Sequence, residues 1–594
     1  MCGIVGYFGN SSAKPILLDL LARLEYRGYD SCGIAIQGNP LIIFKDTRRV
    51  HELARSVPQD IPGTIGIGHT RWATHGQATP DNAHPHLDCL HRIAVVHNGI
   101  IDNYQELRTE LMSEGHSFSS ETDTEVIAHL IEKYYQGILE EAVRVAITRL
   151  HGSWAIAVVA TDEHKLVAAR QHAPLVIGQG GSDYILASDA LATLGRTNSV
   201  VYLEDGDVAV INNHGLSITR DGRHLVRIPH EISWSTEDAT KNGYEHFTLK
   251  EIMEQPEVLR RNLANYPTNH NPLSESCLLA PGETGGIAII ACGTSYHAGL
   301  IGKQIIENFL EIPVSVINAS EYTYQPARSA SLVIAITQSG ETADVLAATR
   351  CVKDTGIPIL AITNTPHSSI TNMADRIIYT NAGPEVGVAA TKTYTAQLAA
   401  IIKSVISSPR IKSQARTTLV DGLTSLPGMI ECVCALSHTI ESCARFVAGC
   451  ARSFVIGRGV NLPTAYEGAL KMKELAYIPA EGYSAGELKH GPFALLDQGT
   501  PVIAILADDE THRAMIRNIH EVKARNSPVV VLTYDGDEDM DESGNIIIHL
   551  PRASYPLSTI VNTVALQLLA YHAAKFRGCP IDFPRNIAKS VTVE

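Results

Sequence analysis

The sequence predicts a layered α+β domain followed by two α/β domains built on parallel β-sheets. Up to about residue 220, short strand-forming runs follow one another without intervening helices, which favours layered α+β architecture over a doubly wound sheet. From Gly286 onward, short apolar strands alternate with helical stretches, as they do around a parallel sheet. The same alternation restarts at Ser453, so the second half is predicted to be a tandem repeat of one α/β domain.

The domain boundaries follow from these changes in pattern. A chain of 594 residues is too long for one hydrophobic core. Residues 219–277 are more polar and carry few strand signals, which indicates a linker with one or two helices. We therefore expect domains at 2–218, 278–415 and 444–584, with a polar tail at 585–594.

Runs of apolar and β-branched residues mark the individual strands. The first domain should contain strands at Ile93–Val96, Trp154–Val159, Leu166–Ala169 and Tyr184–Ala187. The first α/β repeat should contain Gly286–Ala291, Val314–Ile317, Leu332–Thr337, Ile359–Ile362 and Arg376–Tyr379. The second repeat should contain Ser453–Ile456, Val502–Leu506, Val529–Thr533 and Ile546–His549. The two copies share little residue identity, so the repeat is inferred from the rhythm of their elements.

The composition is that of an ordinary globular enzyme and excludes several classes. Hydrophobic residues make up 45% of the chain and charged residues 19%. A net charge of −15 gives no general attraction for nucleic acid or for an anionic membrane. No apolar run reaches the roughly 18 residues of a membrane span, and the N-terminus lacks the features of a secretion signal. We therefore expect a cytoplasmic protein without a nucleic-acid or membrane partner.

The cysteines support the same compartment. There are 11, an odd number without a CxxC pair, which favours reduced thiols. Cys432, Cys434, Cys443 and Cys450 form a cluster in sequence that could bind a metal. Their surroundings have the pattern of an apolar helix, where cysteine usually serves as a small buried hydrophobe. We expect these four to be packing residues.

Cys2 has the chemistry of a nucleophile if the initiator methionine is removed. Its thiol, with an ordinary pKa of about 8.5, then lies beside a free α-amine with a pKa of about 8. Such a pair contains its own general base, which is the logic of N-terminal nucleophile hydrolases. A cysteine at the second position is weak evidence alone, so the downstream motifs decide.

Three downstream segments supply groups that an amide-cleaving site needs. In HTRWATHG, the guanidinium group of Arg71 can bind a carboxylate through two hydrogen bonds. VVHNGII ends a strand in Asn98 and Gly99, which can both donate to an oxyanion. ETDTE opens a helix, where Thr122 and Glu125 also fit an ordinary capping box.

These segments, with CGIVGY, EYRGYDS and NAHPH, follow in the order seen in class II glutamine amidotransferases, which the chain resembles. The resemblance implies an αββα N-terminal nucleophile fold, with Cys2 as nucleophile and its α-amine as general base. It assigns Asn98 and Gly99 to the oxyanion hole and Trp72 to an ammonia gate. The residues that it assigns to glutamine binding are Arg71, Thr74, His75 and Asp123.

A rival interpretation concerns His84, His86, Cys89 and His91, which are closely spaced and could bind zinc. The amidotransferase family carries NAHPH in a metal-free loop. Cys89 and His91 lie outside that motif. We therefore expect no metal in this domain.

The first α/β repeat carries two hydroxyl-rich turns after predicted strands, TQSGETAD and CGTS. In the first of them, the Ser339 and Thr342 hydroxyls and the amides around Gly340 would cradle a phosphate at a helix N-terminus. In the second repeat the matching position contains LADDE, whose carboxylates would repel phosphate. Only the first repeat should therefore bind phosphate. This half of the chain resembles paired sugar isomerase (SIS) domains.

Three later segments narrow the family. EGALKMKE places Lys471 and Glu474 on one helix face, where an exposed ion pair is the ordinary explanation. GELKHGP places His490 in a loop, and PRNIAKSVTVE carries Lys589 in a tail that would ordinarily be disordered. Together with the amidotransferase motifs, these segments closely resemble the glutamine–fructose-6-phosphate aminotransferase (isomerizing) family, nearly from end to end.

This resemblance implies roles at a sugar site. Glu474 would move a proton between sugar carbons one and two, Lys471 would stabilise the enediolate, and Lys589 would form a Schiff base with the ketose. His490 would open the sugar ring and would come from the neighbouring subunit. The residues implied in sugar-phosphate binding are Thr294, Ser295, Thr337, Gln338, Ser339, Thr342, Val388 and Lys392.

Departures from the family pattern are small. Thr337 and Ala390 stand where serine is common in bacterial relatives. Threonine keeps the hydroxyl, whereas alanine loses it, so Ala390 is not a predicted site residue. No long insert interrupts the amidotransferase domain, which makes feedback by an amino-sugar nucleotide less expected.

The sequence thus predicts an enzyme that converts L-glutamine and D-fructose 6-phosphate into L-glutamate and D-glucosamine 6-phosphate, with no metal, nucleotide or pyridoxal phosphate cofactor. A homodimer is expected. An amidophosphoribosyltransferase would need a phosphoribosyl-diphosphate loop of acidic pairs, and an asparagine synthetase a Ser/Gly-rich pyrophosphate loop; neither is found. Cys2, Glu474 and Lys589 argue against a third alternative, a non-catalytic sugar-phosphate sensor.

Overall fold

The computed structural model describes residues 2–232, 234–235, 237–264, 285–327, 329–540 and 545–592. The chain divides into two compact units. The first comprises residues 1–240 together with 588–594, and the second comprises residues 241–587.

The described part of the first unit contains two antiparallel sheets and five α-helices. Its strands are β1 (Gly3–Phe8), β2 (Ser31–Ile36), β3 (Ile42–Asp46), β4 (Ile65–Arg71), β5 (His86–Leu87), β6 (Ile93–Ile101), β7 (Gly152–Ala160), β8 (Glu163–Gln171), β9 (Val176–Gly180), β10 (Asp183–Ala187), β11 (Ser199–Tyr202), β12 (Val208–Asn212), β13 (Gly215–Arg220), β14 (Arg223–Leu225) and β15 (His230–Glu231). Its helices are α1 (Ala13–Leu24), α2 (Val50–Ser56), α3 (Tyr104–Ser113), α4 (Glu125–Tyr134) and α5 (Leu139–Ile147).

The layers of this unit run helix, sheet, sheet, helix. The eight-stranded sheet has the order β15-β11-β9-β10-β1-β4-β2-β3, and the seven-stranded sheet β14-β13-β12-β8-β7-β6-β5. A shared core lies between them, with Ile4 and Ile67 from one sheet packed against Val96 and Ala157 from the other. Helix α1 contacts β1 and β4, while α4 and α5 pack on the outer face of the second sheet. The αββα prediction is confirmed.

The second unit contains two parallel sheets. Its strands are β16 (Gly286–Ala291), β17 (Val314–Asn318), β18 (Ala330–Thr337), β19 (Ile359–Thr363), β20 (Arg376–Tyr379), β21 (Ser453–Gly457), β22 (Ala480–Ser484), β23 (Val502–Ile505), β24 (Val529–Tyr534) and β25 (Ile546–Leu550). Its helices are α6 (Phe247–Met253), α7 (Gln255–Ala264), α8 (Gly293–Leu310), α9 (Ala343–Thr355), α10 (Ser369–Met373), α11 (Lys392–Ser407), α12 (Ser413–Ala435), α13 (Ser437–Ala448), α14 (Asn461–Ala476), α15 (His512–Lys523) and α16 (Leu557–Phe576).

The two sheets have the same topology, which establishes the tandem repeat. Their orders are β17-β16-β18-β19-β20 and β22-β21-β23-β24-β25, so in each repeat the first strand lies between the second and the third. All neighbouring strands are parallel. Ligand sites in such sheets lie at the carboxyl ends of the strands.

Every predicted strand overlaps an observed one, but the segment that we expected to be a linker with one or two helices belongs partly to each unit. Strands β13 to β15 continue the sheets of the first unit as far as Glu231, beyond the predicted boundary at residue 218. Helices α6 and α7, in the predicted linker, bury Ile252 and Leu259 in the core of the second unit. They are therefore part of a packed domain and not a free connection, while the predicted domain limits stay predictions.

Helix α16 is long and apolar enough to cross a membrane by length and composition alone, with a mean hydropathy of 1.2. All of that stretch is buried inside the protein, which is the position of a core helix. Helices α12 and α13 pass the same test only as a pair bent by 56°. Of the four clustered cysteines, Cys443 is buried as predicted, whereas Cys432 is exposed because it faces outward from α12.

Candidate active sites

Cys2 directly precedes β1, and its thiol contacts the backbone of Trp72. The Trp72 amide donates to Cys2 Sγ at 3.3 Å, and Sγ lies 3.6 Å from the Trp72 carbonyl oxygen. Asn98 Nδ2 donates to the Cys2 carbonyl oxygen at 3.0 Å, and Arg27 Nε donates to the same oxygen at 3.2 Å. Burial raises the pKa of the Cys2 thiol, so the nucleophile needs a base to deprotonate it.

The end of β6 carries the two residues predicted to form the oxyanion hole, Asn98 and Gly99. Gly99 has a φ of +127°, and a Cβ there would lie 1.9 Å from the Ser153 carbonyl oxygen, so only glycine fits. His69 Nε2 lies 2.9 Å from the His97 carbonyl oxygen and 3.1 Å from Asn98 Oδ1. Both partners are acceptors, so Nε2 carries the hydrogen and turns the Asn98 amide nitrogen toward Cys2. Burial lowers the pKa of His69 to about 3, which keeps the ring neutral.

The predicted glutamine-binding groups surround this centre. Arg71, on β4, donates to the carbonyl oxygens of Gln77 and Gly76 at 3.2 and 3.1 Å and also to that of His75, so it shapes the loop after the strand. Asp123 Oδ2 accepts from the Ile101 amide at 2.9 Å. The contact of Arg71 with a substrate carboxylate stays a prediction, because the same guanidinium now holds the loop.

The remaining predicted residues of this site lie on the same loop. Thr74 is exposed, and the His75 ring stands edge-on to Tyr104 at 5.2 Å. The Trp72 ring stands edge-on to Tyr29 at 5.6 Å. The structure thus places Trp72 beside Cys2 and the other two residues on the same loop, while the gating role of Trp72 stays a prediction.

The ordinary capping-box explanation for ETDTE is wrong, because α4 begins only at Glu125. The Thr122 hydroxyl lies 3.0 Å from His86 Nε2. The Glu125 carboxylate accepts from the Ser119 and Ser120 amides, each at 2.7 Å. Asp123 is therefore free of a capping role within the helix and is available to the site.

The four residues whose spacing suggested a zinc site, His84, His86, Cys89 and His91, do not come together. His84 stacks on the His69 ring at 4.0 Å and stands edge-on to His86 at 4.7 Å, deep in the first unit. Burial lowers the pKa of both His84 and His86. Cys89 and His91 are exposed in the turn between β5 and β6. The four side chains therefore belong to two different environments.

In the second unit, the TQSGETAD turn forms a hydroxyl-lined cradle at the carboxyl end of β18. The Thr337 and Thr342 hydroxyls lie 2.9 Å apart, and the Gly340 amide donates to Thr337 at 3.3 Å. The Ser339 hydroxyl accepts from the Glu341 amide at 3.1 Å. Thr342 is the N-cap of α9, so the helix presents its amides and its positive end to the same place.

The Gly340 backbone fixes the shape of this turn. Its φ is +69°, and a Cβ there would lie 2.0 Å from Ser368 Oγ. The Gln338 carbonyl oxygen accepts from the Asn364 amide at 3.0 Å, which ties the turn to the end of β19. The turn predicted from the sequence is therefore present as a defined structure, while its binding of phosphate stays a prediction.

The equivalent turn of the second repeat is occupied by carboxylates. Asp508 Oδ2 accepts from Arg552 Nε at 2.6 Å. Asp509 Oδ1 accepts from the Thr511 amide at 2.8 Å, directly before α15. The acidic side chains thus use the helix N-terminus that a phosphate would need.

Helix α14 of the second repeat contributes to the site of the first. Lys471 Nζ donates to Thr294 Oγ1 at 3.1 Å and is paired with Glu467 at 3.3 Å and with Glu474. Thr294 donates to Glu467 at 3.2 Å, and His297 Nδ1 lies 2.7 Å from the same carboxylate. The CGTS turn and the EGALKMKE helix therefore meet in one polar network.

The electrostatics of this network favour its charged form. Burial opposes the Lys471 ammonium, but Glu467 and Glu474 raise its pKa above the ordinary value. Burial likewise opposes ionisation of Glu467, but Lys471 and His297 lower its pKa. A buried cation is thus held beside Thr294.

Other predicted sugar-site residues line the start of α11 and its surroundings. Ser295 Oγ accepts from Gln397 Nε2 at 3.0 Å. Lys392 Nζ pairs with Glu254 at 2.7 Å, and the Val388 amide donates to the Asp582 carbonyl oxygen at 3.2 Å. These residues belong to the second unit, together with the cradle.

Two predicted residues lie elsewhere. His490 is exposed at the end of a short 3₁₀ helix, Ala485–His490. Lys589 lies in the segment 588–594, which groups with the first unit. Their roles at the sugar site stay predictions.

Sequence reasoning missed three residues that the structure places in these sites: His69, His297 and Glu467. Glu467 precedes Lys471 by four positions and Glu474 by seven, so helical spacing alone puts all three on one face. His69 opens the HTRWATHG motif and carries no spacing signal of its own. His297 lies one turn into the helix that CGTS begins.

An open cavity of about 640 Å³ lies next to this network. Its lining includes Gly293, His297, Tyr466, Lys473 and Glu487. The cradle hydroxyls do not line it, so it is a neighbouring depression and not the phosphate site.

Models of two domain families match the chain. The SIS domain matches at residues 283–406 and again at 447–576. The glutamine amidotransferase domain matches at residues 69–194.

Curated relatives match over the full length of both chains. Glutamine–fructose-6-phosphate aminotransferases (isomerizing) from Methanosarcina acetivorans and Methanothermobacter thermautotrophicus are 43% and 45% identical, each over 100% of this chain and 100% of the relative. Among solved structures, the C-terminal domain of glucosamine-fructose-6-phosphate aminotransferase from Francisella tularensis is 33% identical with a TM-score of 0.55. That match covers 58% of this chain and 99% of the other.

Proposed function

The chain belongs to the glutamine–fructose-6-phosphate aminotransferase (isomerizing) family, and from this premise we propose how its residues carry out the reaction. The enzyme converts D-fructose 6-phosphate and L-glutamine into D-glucosamine 6-phosphate and L-glutamate, which is the first step of amino-sugar synthesis. One observation carries the assignment of the sugar site: buried Lys471, held between Glu467 and Glu474, bonds the Thr294 hydroxyl of the other repeat.

At the glutaminase site, Cys2 Sγ attacks the side-chain amide carbon of glutamine, and its own α-amine takes the thiol proton. Asn98 Nδ2 and the Gly99 amide stabilise the oxyanion, a position supported by the 3.0 Å bond from Asn98 to the Cys2 backbone. The protonated amine then returns its proton to the departing ammonia. Water hydrolyses the Cys2 thioester and releases glutamate, with Arg71, Thr74, His75 and Asp123 as the binding groups.

At the sugar site, the phosphate of fructose 6-phosphate binds in the cradle of the first repeat. Ser339, Thr342 and the α9 N-terminus supply hydroxyls and amides, while the equivalent turn of the second repeat carries carboxylates. The other residues that we assign to this binding are Thr294, Ser295, Thr337, Gln338, Val388 and Lys392.

Lys471 and Lys589 have different roles in the remaining steps, because Lys471 stays protonated. Lys471 is kept protonated by its two carboxylates, so it serves as an electrostatic group for the enediolate oxygen and not as a nucleophile. Lys589 then forms the Schiff base with the open-chain ketose, with loss of water. Ammonia displaces the lysine, and Glu474 moves a proton from carbon one to carbon two.

The proposal also covers the oligomeric state, the domain boundaries and the cellular compartment. The exposed position of His490 suits a ring-opening residue that acts on the neighbouring subunit of a homodimer. Domains at 2–218, 278–415 and 444–584, with the catalytic tail 585–594, remain our proposal. The free thiols of the described cysteines suit the cytoplasm.

Amide-labelled glutamine with fructose 6-phosphate tests the overall function. The label should appear in glucosamine 6-phosphate by mass spectrometry, and glutamate release should rise when fructose 6-phosphate is added. Cys2→Ala should abolish glutamine-driven synthesis but leave isomerisation of fructose 6-phosphate measurable. A retained N-terminal methionine or tag should also abolish glutaminase activity, because it blocks the base. Glutamate release without any labelled amino sugar would refute the sugar half of the proposal.

Borohydride reduction tests the Lys589 assignment. With fructose 6-phosphate present, it should trap a sugar adduct on the peptide that contains Lys589. Lys589→Arg keeps the charge but cannot form an imine, so synthesis should be lost while glutaminase activity persists. Near-normal synthesis by the Arg variant would show that Lys589 contributes only its positive charge and does not form the Schiff base.

A further inference from the structure

Four potential metal ligands converge in the first unit, outside the proposed glutaminase centre. Cys89 lies in the turn between β5 and β6, His116 follows α3, and His129 and Glu132 lie on α4. Each offers one ligand atom, and these atoms lie within 4.8 Å of one another. His129 and Glu132 are three positions apart, which places them on one face of the helix.

Four distances within this cluster are close to those between the ligand atoms of a tetrahedral site. Cys89 Sγ lies 3.6 Å from His116 Nδ1 and 3.5 Å from His129 Nδ1. Glu132 Oε2 lies 2.9 Å from His116 Nδ1 and 3.2 Å from His129 Nδ1. A tetrahedral zinc ion with ordinary bond lengths separates its sulfur and nitrogen ligands by about 3.6 Å and its nitrogen and oxygen ligands by about 3.3 Å. We propose that Cys89, His116, His129 and Glu132 bind a zinc ion.

Without a metal ion, the cluster depends on a few hydrogens that are shared among four groups. Each histidine Nδ1 carries at most one hydrogen, yet it faces both the Cys89 sulfur and the Glu132 oxygen. The same Glu132 oxygen already accepts from the Cys89 amide at 3.2 Å. A cation at the centre satisfies the sulfur, both nitrogens and the oxygen together.

The charges around the cluster also favour a cation. A thiolate next to a carboxylate is unfavourable without a counter-charge, and bound zinc supplies it while displacing the thiol proton. Cys89 is exposed, so the ion has a route from solvent.

A carboxylate lies behind one of the ligands, at ion-pair distance. His129 Nε2, the nitrogen that would not bind zinc, lies 3.7 Å from Glu125 Oε1. Glu125 in turn accepts from the Ser119 and Ser120 amides, each at 2.7 Å. A carboxylate behind a ligating histidine is the usual way to orient its ring and raise its basicity.

The position of the ion indicates what it stabilises. It ties together the turn before β6, the segment after α3 and the face of α4. Strand β6 ends in Asn98 and Gly99, and α4 begins two residues after Asp123. The two ligands on α4 lie about 6 and 10 Å along the helix from its first residue, by the rise of a helix, so we assign the ion a positioning role.

Metal analysis of the full-length enzyme tests the proposal. Protein purified from zinc-supplemented cells and dialysed against zinc-free buffer should retain one zinc ion per chain by inductively coupled plasma mass spectrometry. Cys89→Ser and His129→Asn should each lose most of it. Cys351→Ser removes another exposed cysteine and should keep the full amount. Retention of zinc by both ligand variants, or no zinc in the unmodified enzyme, would overturn the proposal.

A spectroscopic measurement covers the case in which a ligand variant folds poorly. Zinc is removed from the unmodified enzyme with a chelator and replaced by Co²⁺. The product should show a thiolate-to-cobalt charge-transfer band and the strong visible bands of tetrahedral Co²⁺. Chelation should also lower the thermal midpoint of the Cys351→Ser control but not that of Cys89→Ser. A cobalt spectrum without the thiolate band, or equal effects of chelation on both variants, would rule the site out.

Discussion

The two α/β repeats share one strand order, but we propose that they contribute different groups to a single site. In the first repeat, the turn after β18 carries hydroxyls and a left-handed glycine at a helix N-terminus. In the second, the turn after β23 carries Asp508 and Asp509, which are committed to Arg552 and Thr511. The second repeat instead contributes α14, whose Lys471 reaches Thr294 of the first. The two copies therefore share a backbone fold but differ in the side chains that they present.

The largest expected effect comes from α14. Lys471→Met removes the buried cation beside Thr294, so kcat for glucosamine 6-phosphate should fall about a hundred- to a thousand-fold. Glutaminase activity at Cys2 should remain. Removing one member of a buried ion pair also destabilises by about 3–5 kcal/mol, because Glu467 is left without its main partner.

The double variant Glu467→Gln/Lys471→Met separates catalysis from stability. It removes both charges, so the thermal midpoint should recover toward that of the unmodified enzyme while synthesis stays low. If the double variant recovers activity together with stability, Lys471 is a structural residue only.

The phosphate asymmetry gives the next largest effect. Ser339→Ala removes one hydrogen bond to a charged group, worth about 1.5–3 kcal/mol, so KM for fructose 6-phosphate should rise roughly ten- to a hundred-fold. Asp508→Ala, at the equivalent turn of the second repeat, is the matched control and should leave that KM nearly unaltered. Steady-state kinetics of both variants decide the point. A rise in KM as large for Asp508→Ala as for Ser339→Ala would contradict the asymmetry.

The contrast between the repeats also shows which features of the site can be predicted from sequence patterns. TQSGETAD was identified as a cradle because its strand, turn and helix are continuous in sequence, and the structure has that turn. Glu467 was missed because its partners Thr294 and His297 lie 173 and 170 residues away in the other repeat. Strand β22, with the polar sequence AEGYS, was missed because it is an edge strand, where an apolar run is not required. Contacts between copies of a repeat are set by packing and leave no local pattern.

The Lys471–Glu467 pair should give a stability difference that depends on pH. The pKa of Glu467 is lowered by folding, so its contribution is present above its ordinary pKa near ~4.3 and is lost as pH falls through the lower folded pKa. The pKa of Lys471 is raised, so its contribution is present below ~10.4 and is lost as pH rises through the higher folded pKa. The difference in thermal midpoint from Glu467→Gln/Lys471→Met should therefore be flat between these limits and change outside them. A difference that varies across neutral pH would mean that other groups dominate.

The smallest effect tests whether the acidic turn of the second repeat is structural. Asp509 accepts from the Thr511 amide at 2.8 Å and places a negative charge at the start of α15. Asp509→Ala removes a side-chain hydrogen bond in the turn before α15, worth about 0.5–1.5 kcal/mol, and should lower the thermal midpoint slightly. Asp509→Asn keeps the accepting oxygen and should retain most of that stability. Neither variant should alter KM for fructose 6-phosphate, because the phosphate binds at the other repeat. A change in KM comparable to that of Ser339→Ala would place substrate at both turns and break the division of labour between the repeats.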